Sequence, residues 1–348
     1  MPLALENKTP FSCEHPPMGA RNGANILRFI VRATYDIAYN GNLVLAKKQV
    51  PTRYADVYWR EEGKSSLRYE SDVSLDKPFV DLIVNGQAHA PNSRPTTSVN
   101  VGLIFQERMV KTMRVSGDRH WDYGLMGWRI TDPKPFVAMP VTYDRAFGGM
   151  DEAGSEARNR VGTGYATKIT TAFGGTPLPN VEHIDALVKT PTDRPKPAGL
   201  GIVSRDWQQR IRFAGTYDAK WLDDRFPLLP DDFDMRFNQS APEDQWLPRI
   251  AGGETVRVMG MTPDGVLAFR LPRGTVRLSL HYRKRSIENQ MTLDGVLIDC
   301  ERRQLELTWR ASADIHGDPF QLMTMVVSTE SPELTPRDCG CDDKRSAA

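Results

Sequence analysis

ILRFIVRATYDI, residues 26 to 37, alternates along its length: Leu27, Phe29, Val31, Ala33, Tyr35 and Ile37 share one face, and Arg28, Arg32, Thr34 and Asp36 share the other. An α-helix would scatter the apolar set around its circumference, so the stretch predicts a β-strand with one buried and one solvated side. The pattern recurs in Val99, Val101, Leu103 and Phe105, in Val276, Leu278, Leu280 and Tyr282, and in Leu305, Leu307 and Trp309. Four turn dipeptides, Asn40-Gly41, Asn85-Gly86, Asp264-Gly265 and Asp294-Gly295, separate apolar runs. Such pairs tolerate the positive φ angles of a tight hairpin turn, and each predicts a hairpin.

These signals imply a mainly β fold of antiparallel sheets, either sandwich-like or a partly open barrel. Two β regions, about 20–130 and 252–330, bracket a middle segment, 131–250, that holds twelve of the 25 prolines and ten of the 27 glycines. Proline removes a backbone donor and glycine adds conformational entropy, so loops and short helices are expected there. The expected organisation is a single β-rich domain over 1–335 and a disordered polar tail over 336–348.

Lysine and arginine total 45 against 44 acids, a balance with no long-range field to draw nucleic acid or an anionic membrane. The start, MPLALENKTPFSC, has neither a basic leader nor an apolar run of signal-peptide length, and no later stretch reads as a membrane span. A soluble cytoplasmic protein is the expectation. Cys339-Gly-Cys341 has no second pair or neighbouring histidine to complete a metal site. The histidines at 15, 89, 120, 183, 281 and 316 show no ligand spacing. No metal and no cofactor is expected.

WLDDRFPLLPDDFDMRF, residues 221 to 237, concentrates aspartates among aromatics and prolines. Asp218 reads as the cap of a short helix stopped by Pro227, and Ser240-Ala-Pro-Glu243 reads as a capping box. The acids are therefore expected at turns and helix ends, although facing carboxylates acting on carbohydrate are an alternative. GTGYATK, 162 to 168, lacks phosphate-loop spacing, and no Gly-x-Ser-x-Gly elbow occurs. HYRKR, 281 to 285, reads as a solvated strand end or hairpin.

RYESDV, MPVTYDRAFGG, LPNVE, RPKPAGLG, AGTYDAKWLDDRFPLLPDDFDMRF and APEDQWLP follow one another in this order. Together they resemble the family known as domain of unknown function 2169, over residues 3 to about 330. The resemblance implies a cytoplasmic adaptor or chaperone of bacterial type VI secretion. Such a protein binds the N-terminal or spike-tip region of an effector and helps load it onto the valine-glycine-repeat spike. A structural subunit of the secretion particle is a further alternative. The family supplies no catalytic set to carry over, and a binding protein is expected rather than an enzyme. Tyr143, Asp144, Arg145, Phe147, Gly148, Gly149 and Trp221 are the candidates for partner contact.

Overall fold

The computed structural model describes residues 4–314 and 322–335, so the Cys339/Cys341 tail and the expected disorder of 336–348 lie outside the described residues. The chain is mainly β with a few short helices, and none of its sheets closes into a barrel. An eight-stranded sheet is built on the strand Asn25–Ile37, which pairs antiparallel with Gln304–Asp314 from Asp36 opposite Gln304 to Ile26 opposite Asp314. Thr292–Asp299, Val80–Asn85 and Trp246–Leu247 extend that sheet in this order. A five-stranded sheet runs Val181–His183, Arg108–Ser116, Ser98–Phe105, Thr255–Met259, Val266–Arg270. A four-stranded sheet runs Ala4–Asn7, Leu322–Ser328, Arg277–Tyr282, Ser286–Gln290. Antiparallel pairing dominates, but Thr292–Asp299 lies parallel to Val80–Asn85 and Ala4–Asn7 parallel to Leu322–Ser328.

One apolar cluster joins the three sheets. Phe29, Val31, Ala33 and Tyr35 with Leu305, Leu307 and Trp309 meet Val101, Leu103, Met113, Val256 and Leu267, and also Leu278, Leu280, Met325 and Val327. The alternation of the opening strand therefore does what the pattern predicts on its apolar side. Asn40-Gly41 and Asp264-Gly265 also form the predicted turns, with Gly41 at φ 82 and Gly265 at φ 87.

The other two dipeptides do not form hairpins. At Asn85-Gly86 the chain leaves the eight-stranded sheet for a separate two-stranded one, because Gln87–His89 pairs with Ala138–Pro140 instead of folding back. Asp294-Gly295 sits inside a strand as a bulge, where the register with Gln304–Asp314 shifts between Leu293 and Gly295. A bulge re-aims one side chain, and here it turns Asp294 inward, 2% exposed, to pair with Arg310.

The larger correction concerns the polar side of the opening strand. Arg28 and Arg32 are 1% exposed and Thr34 is fully buried. Segments from the 50–78 region and from the loop-rich middle cover this face, and they bring the charges that neutralise it. Arg32 pairs with Glu306 at 2.9 Å and with Asp72, while Arg53 grips Glu306 with two bonds of 2.7 and 2.8 Å. Arg210 reaches Glu70 at 2.7 Å, and Lys77 reaches Asp81 at 2.7 Å. A buried charge is tolerated only when paired and hydrogen-bonded. Period-two alternation therefore marks the two faces correctly without revealing that both are covered.

Candidate functional site

The RYESDV segment belongs to this charged layer. Arg68 and the Tyr69 hydroxyl bond Asp299, Glu70 meets Arg210 and Arg205, and Asp72 meets Arg32. Burial works against ionisation of Glu70, yet Arg210 and Arg205 more than offset it and hold its carboxyl below the usual range. These acids hold the covering segments onto the sheet.

Three of the aspartates of 218–237 finish local backbone geometry. Asp218 accepts from Trp221 N at 2.8 Å at the start of the helix Ala219–Asp224, and Asp234 accepts from Arg236 N at 2.8 Å. Asp232 accepts from the Thr216 amide at 2.9 Å and its hydroxyl at 2.7 Å, whereas Asp231 is exposed and pairs with Arg225 at 3.0 Å. The capping box is not formed. Ser240 is buried and bonds Asp81, and Glu243 pairs with Arg212. The pull of the buried Asp81 carboxylate on Ser240 outcompetes the local cap.

Tyr143–Arg145 forms a single 3-10 turn, and its side chains diverge. Tyr143 is 3% exposed and packs edge-on against Trp207 at 5.1 Å; a Cβ at Gly199 would come within 2.6 Å of its ring. Phe147 and Gly148 are buried, and Asn159 binds the carbonyls of Tyr143 and Phe147 at 2.8 and 3.0 Å. Gly149, at φ 114, takes a conformation that favours glycine. Tyr143, Phe147 and Gly148 are thus internal supports rather than surface.

Asp144 and Arg145 instead line a cleft of about 610 Å³. Asp144 accepts from the Ser66 hydroxyl at 2.6 Å and faces Arg60 at 3.3 Å, while Arg145 bonds Asn180 at 2.9 Å. Arg60, Arg119 and Lys134 also line the cleft, so cations outnumber the two lining acids, Asp118 and Asp144. Trp221 does not line this cleft. It packs in the helix Ala219–Asp224 against Tyr217 and Phe226 at 4.7 and 5.7 Å.

A feature missed in the sequence rises from the cleft. The hairpin formed by Trp121–Gly124 and Gly127–Ile130 starts beside His120 and returns toward Lys134, both cleft residues. Its base is braced by Trp121, Trp128 and Phe173, with centroids 5.8 to 6.4 Å apart. Its tip is Leu125-Met126, both fully exposed, next to a half-exposed Tyr123. Turn tips favour Asn, Asp and Gly, so an aliphatic pair bracketed by Gly124 and Gly127 was the available signal.

The remaining motifs are structural. Thr163–Gly164 of GTGYATK pairs with Phe147–Gly148, and HYRKR closes the hairpin between Arg277–Tyr282 and Ser286–Gln290. Cys13 and Cys300 are free; burial, with Glu14 beside it, pushes the Cys13 thiol up to about 12. Among the described residues no group of histidine, cysteine and acidic side chains is placed to hold a metal ion, and no helix is long and apolar enough to cross a membrane.

Residues 22–310 match the model of a family described as an uncharacterized protein conserved in bacteria, DUF2169. No curated protein and no solved structure matched the chain.

Proposed function

The chain belongs to that bacterial family, and from this premise we propose that it is a cytoplasmic adaptor of type VI secretion, binding an effector through its N-terminal or spike-tip region and delivering it to the valine-glycine-repeat spike. The observation that carries the reading is the braced 121–130 hairpin, which holds Leu125 and Met126 fully in water above a cation-rich cleft. Single exposed apolar side chains are common, but an adjacent pair on a stiff support beside a charged rim is the composition of an interface anchor. The segment resemblance supplies the secretion setting, and the cleft supplies room for the flanking part of the partner.

Co-expression with candidate type VI effectors of the same bacterium is expected to raise the soluble yield of one of them several-fold and to give a complex that co-elutes on size exclusion. Unchanged yield without a complex contradicts the reading.

A further inference from the structure

Residues 216–232 form a loop that closes on itself around the helix Ala219–Asp224, none of whose residues is buried. So short a helix gains too little from its own backbone bonds to stand alone, and its hold comes from the bonds around it. Asp218 caps it, the Trp221 indole N–H donates to Leu228 O at 2.9 Å, and Arg225 Nε donates to Leu229 O at 2.9 Å. Asp232 ties the end of the loop to Thr216. Leu228 presses on the turn before the opening strand, where a Cβ at Gly23 would come within 2.6 Å of its methyl group.

This fixed support displays apolar side chains in water. Tyr217, Leu222 and Phe226 are each more than half exposed, and Tyr217 and Phe226 meet the half-buried Trp221 edge-on, at 69° and 88°. Apolar residues exposed singly are ordinary, whereas a contiguous patch with a polar rim marks an interaction surface. Rings crossed at these angles offer no coplanar platform to a sugar ring. They offer an uneven surface against which large side chains can pack.

The rim selects the partner. Asp218, Asp223, Asp224, Asp231 and Asp232 are all exposed and face only Lys220 and Arg225 within the loop, so 216–232 carries a net charge of −3 in a chain of net +1. Arg21, bonded to Asp231 O at 2.8 Å, brings this only to −2. Of the five acids, Asp231 alone has an ion-pair partner among the described residues, Arg225. Like charges brought face to face repel, so the rim turns away nucleic acid, anionic membrane and acidic peptides alike.

We infer that this face docks a basic apolar segment of a partner protein. Large aliphatic or aromatic side chains pack on Tyr217, Trp221, Leu222 and Phe226, and flanking lysines or arginines face Asp218, Asp223 and Asp224. The inference goes beyond effector docking at the hairpin, whose cation-rich cleft suits the opposite charge. The chain's own residues 336–348 carry three acids, three bases and no aromatic or large aliphatic side chain, so they lack the anchors. The HYRKR turn of a second copy has the charge, but its Tyr282 is half-buried under Arg285 at 5.1 Å.

The test is selection of a phage-displayed random dodecapeptide library on the immobilised full chain, followed by calorimetric titration of the winning peptides. Winners are expected to be net positive and to carry two or more large apolar residues. Asp223→Lys with Asp224→Lys should weaken them at least about tenfold, and Leu222→Ser about tenfold. All three side chains are exposed, so the melting temperature should not change. Neutral or acidic winners, winners indifferent to both variants, or no enrichment overturn the site. A wild-type dimer on size exclusion that Leu222→Ser dissolves gives the face to a second copy and overturns it as well. No effector enters the selection, so failure of this inference and failure of the adaptor reading are told apart.

Discussion

Asp81→Ala is expected to lower the melting temperature by roughly 5 °C, read by calorimetry or near-ultraviolet circular dichroism. The carboxylate is fully buried and takes five donors: Lys77 Nζ and Gln239 Nε2 at 2.7 Å, the Ser240 amide and hydroxyl at 2.9 Å, and the Ala241 amide at 3.0 Å. Alanine leaves the Lys77 ammonium buried without its counter-ion and strips two backbone amides of their acceptor. Breaking a buried pair in this way costs about 3–5 kcal/mol, which for a chain of 348 residues converts to roughly 4–7 °C at about 1.4 °C per kcal/mol. Burial alone would raise the Asp81 pKa, but Lys77 and the amide bonds hold it below the usual carboxylate range. A carboxyl whose folded pKa lies below its unfolded value of about 3.9 contributes fully above that value and loses its contribution as pH falls toward the folded pKa. Wild type should therefore lose stability as pH falls below about 4, and Asp81→Ala should lose less over the same window. A variant as stable as wild type would show that the charged layer does not anchor the loop-rich segment.

Leu125→Asp combined with Met126→Asp is expected to weaken effector binding about 100-fold or more, with the melting temperature unchanged within about 1 °C. Both side chains are fully exposed, so the folded chain loses no packing, and exposed substitutions stay within about 0.5 kcal/mol. At an interface, truncating an anchor costs about 2 kcal/mol or more, and placing a carboxylate against a desolvated partner adds to that. Two such losses exceed the 2.7 kcal/mol or so that corresponds to 100-fold. Unaltered affinity, measured by calorimetry or biolayer interferometry, would move the docking surface elsewhere, with the Tyr217, Leu222 and Phe226 patch around Trp221 as the next candidate.

The β class was legible because apolar side chains at period two are written directly into residues 26–37 and into the 99–105, 276–282 and 305–309 runs. What covers the second face was not, because Arg28 and Arg32 look the same in a string of letters whether they meet water or Glu306 and Asp76. Turn chemistry is local, and so Asn40-Gly41 was readable. At Asp294-Gly295 the outcome depended on Arg310, a partner distant in space until the strands pair. The caps at Asp218 and Asp234 followed from their own neighbours, while Ser240 was diverted by Asp81, 159 positions away. Likewise Tyr143 and Phe147, bright aromatic signals beside glycines, turned out to be buried, while Pro140, Thr142, Asp144 and Arg145 of that motif line the cleft.

Photo-crosslinking in the producing cell before secretion tests whether a partner covers the hairpin tip. A photoreactive phenylalanine analogue at position 125 or 126 should yield a single adduct whose mass identifies a secretion effector. The same analogue at Tyr39, another exposed position, should yield none. Adducts at Tyr39 but not at the tip, while the complex still co-elutes, would contradict docking through the hairpin.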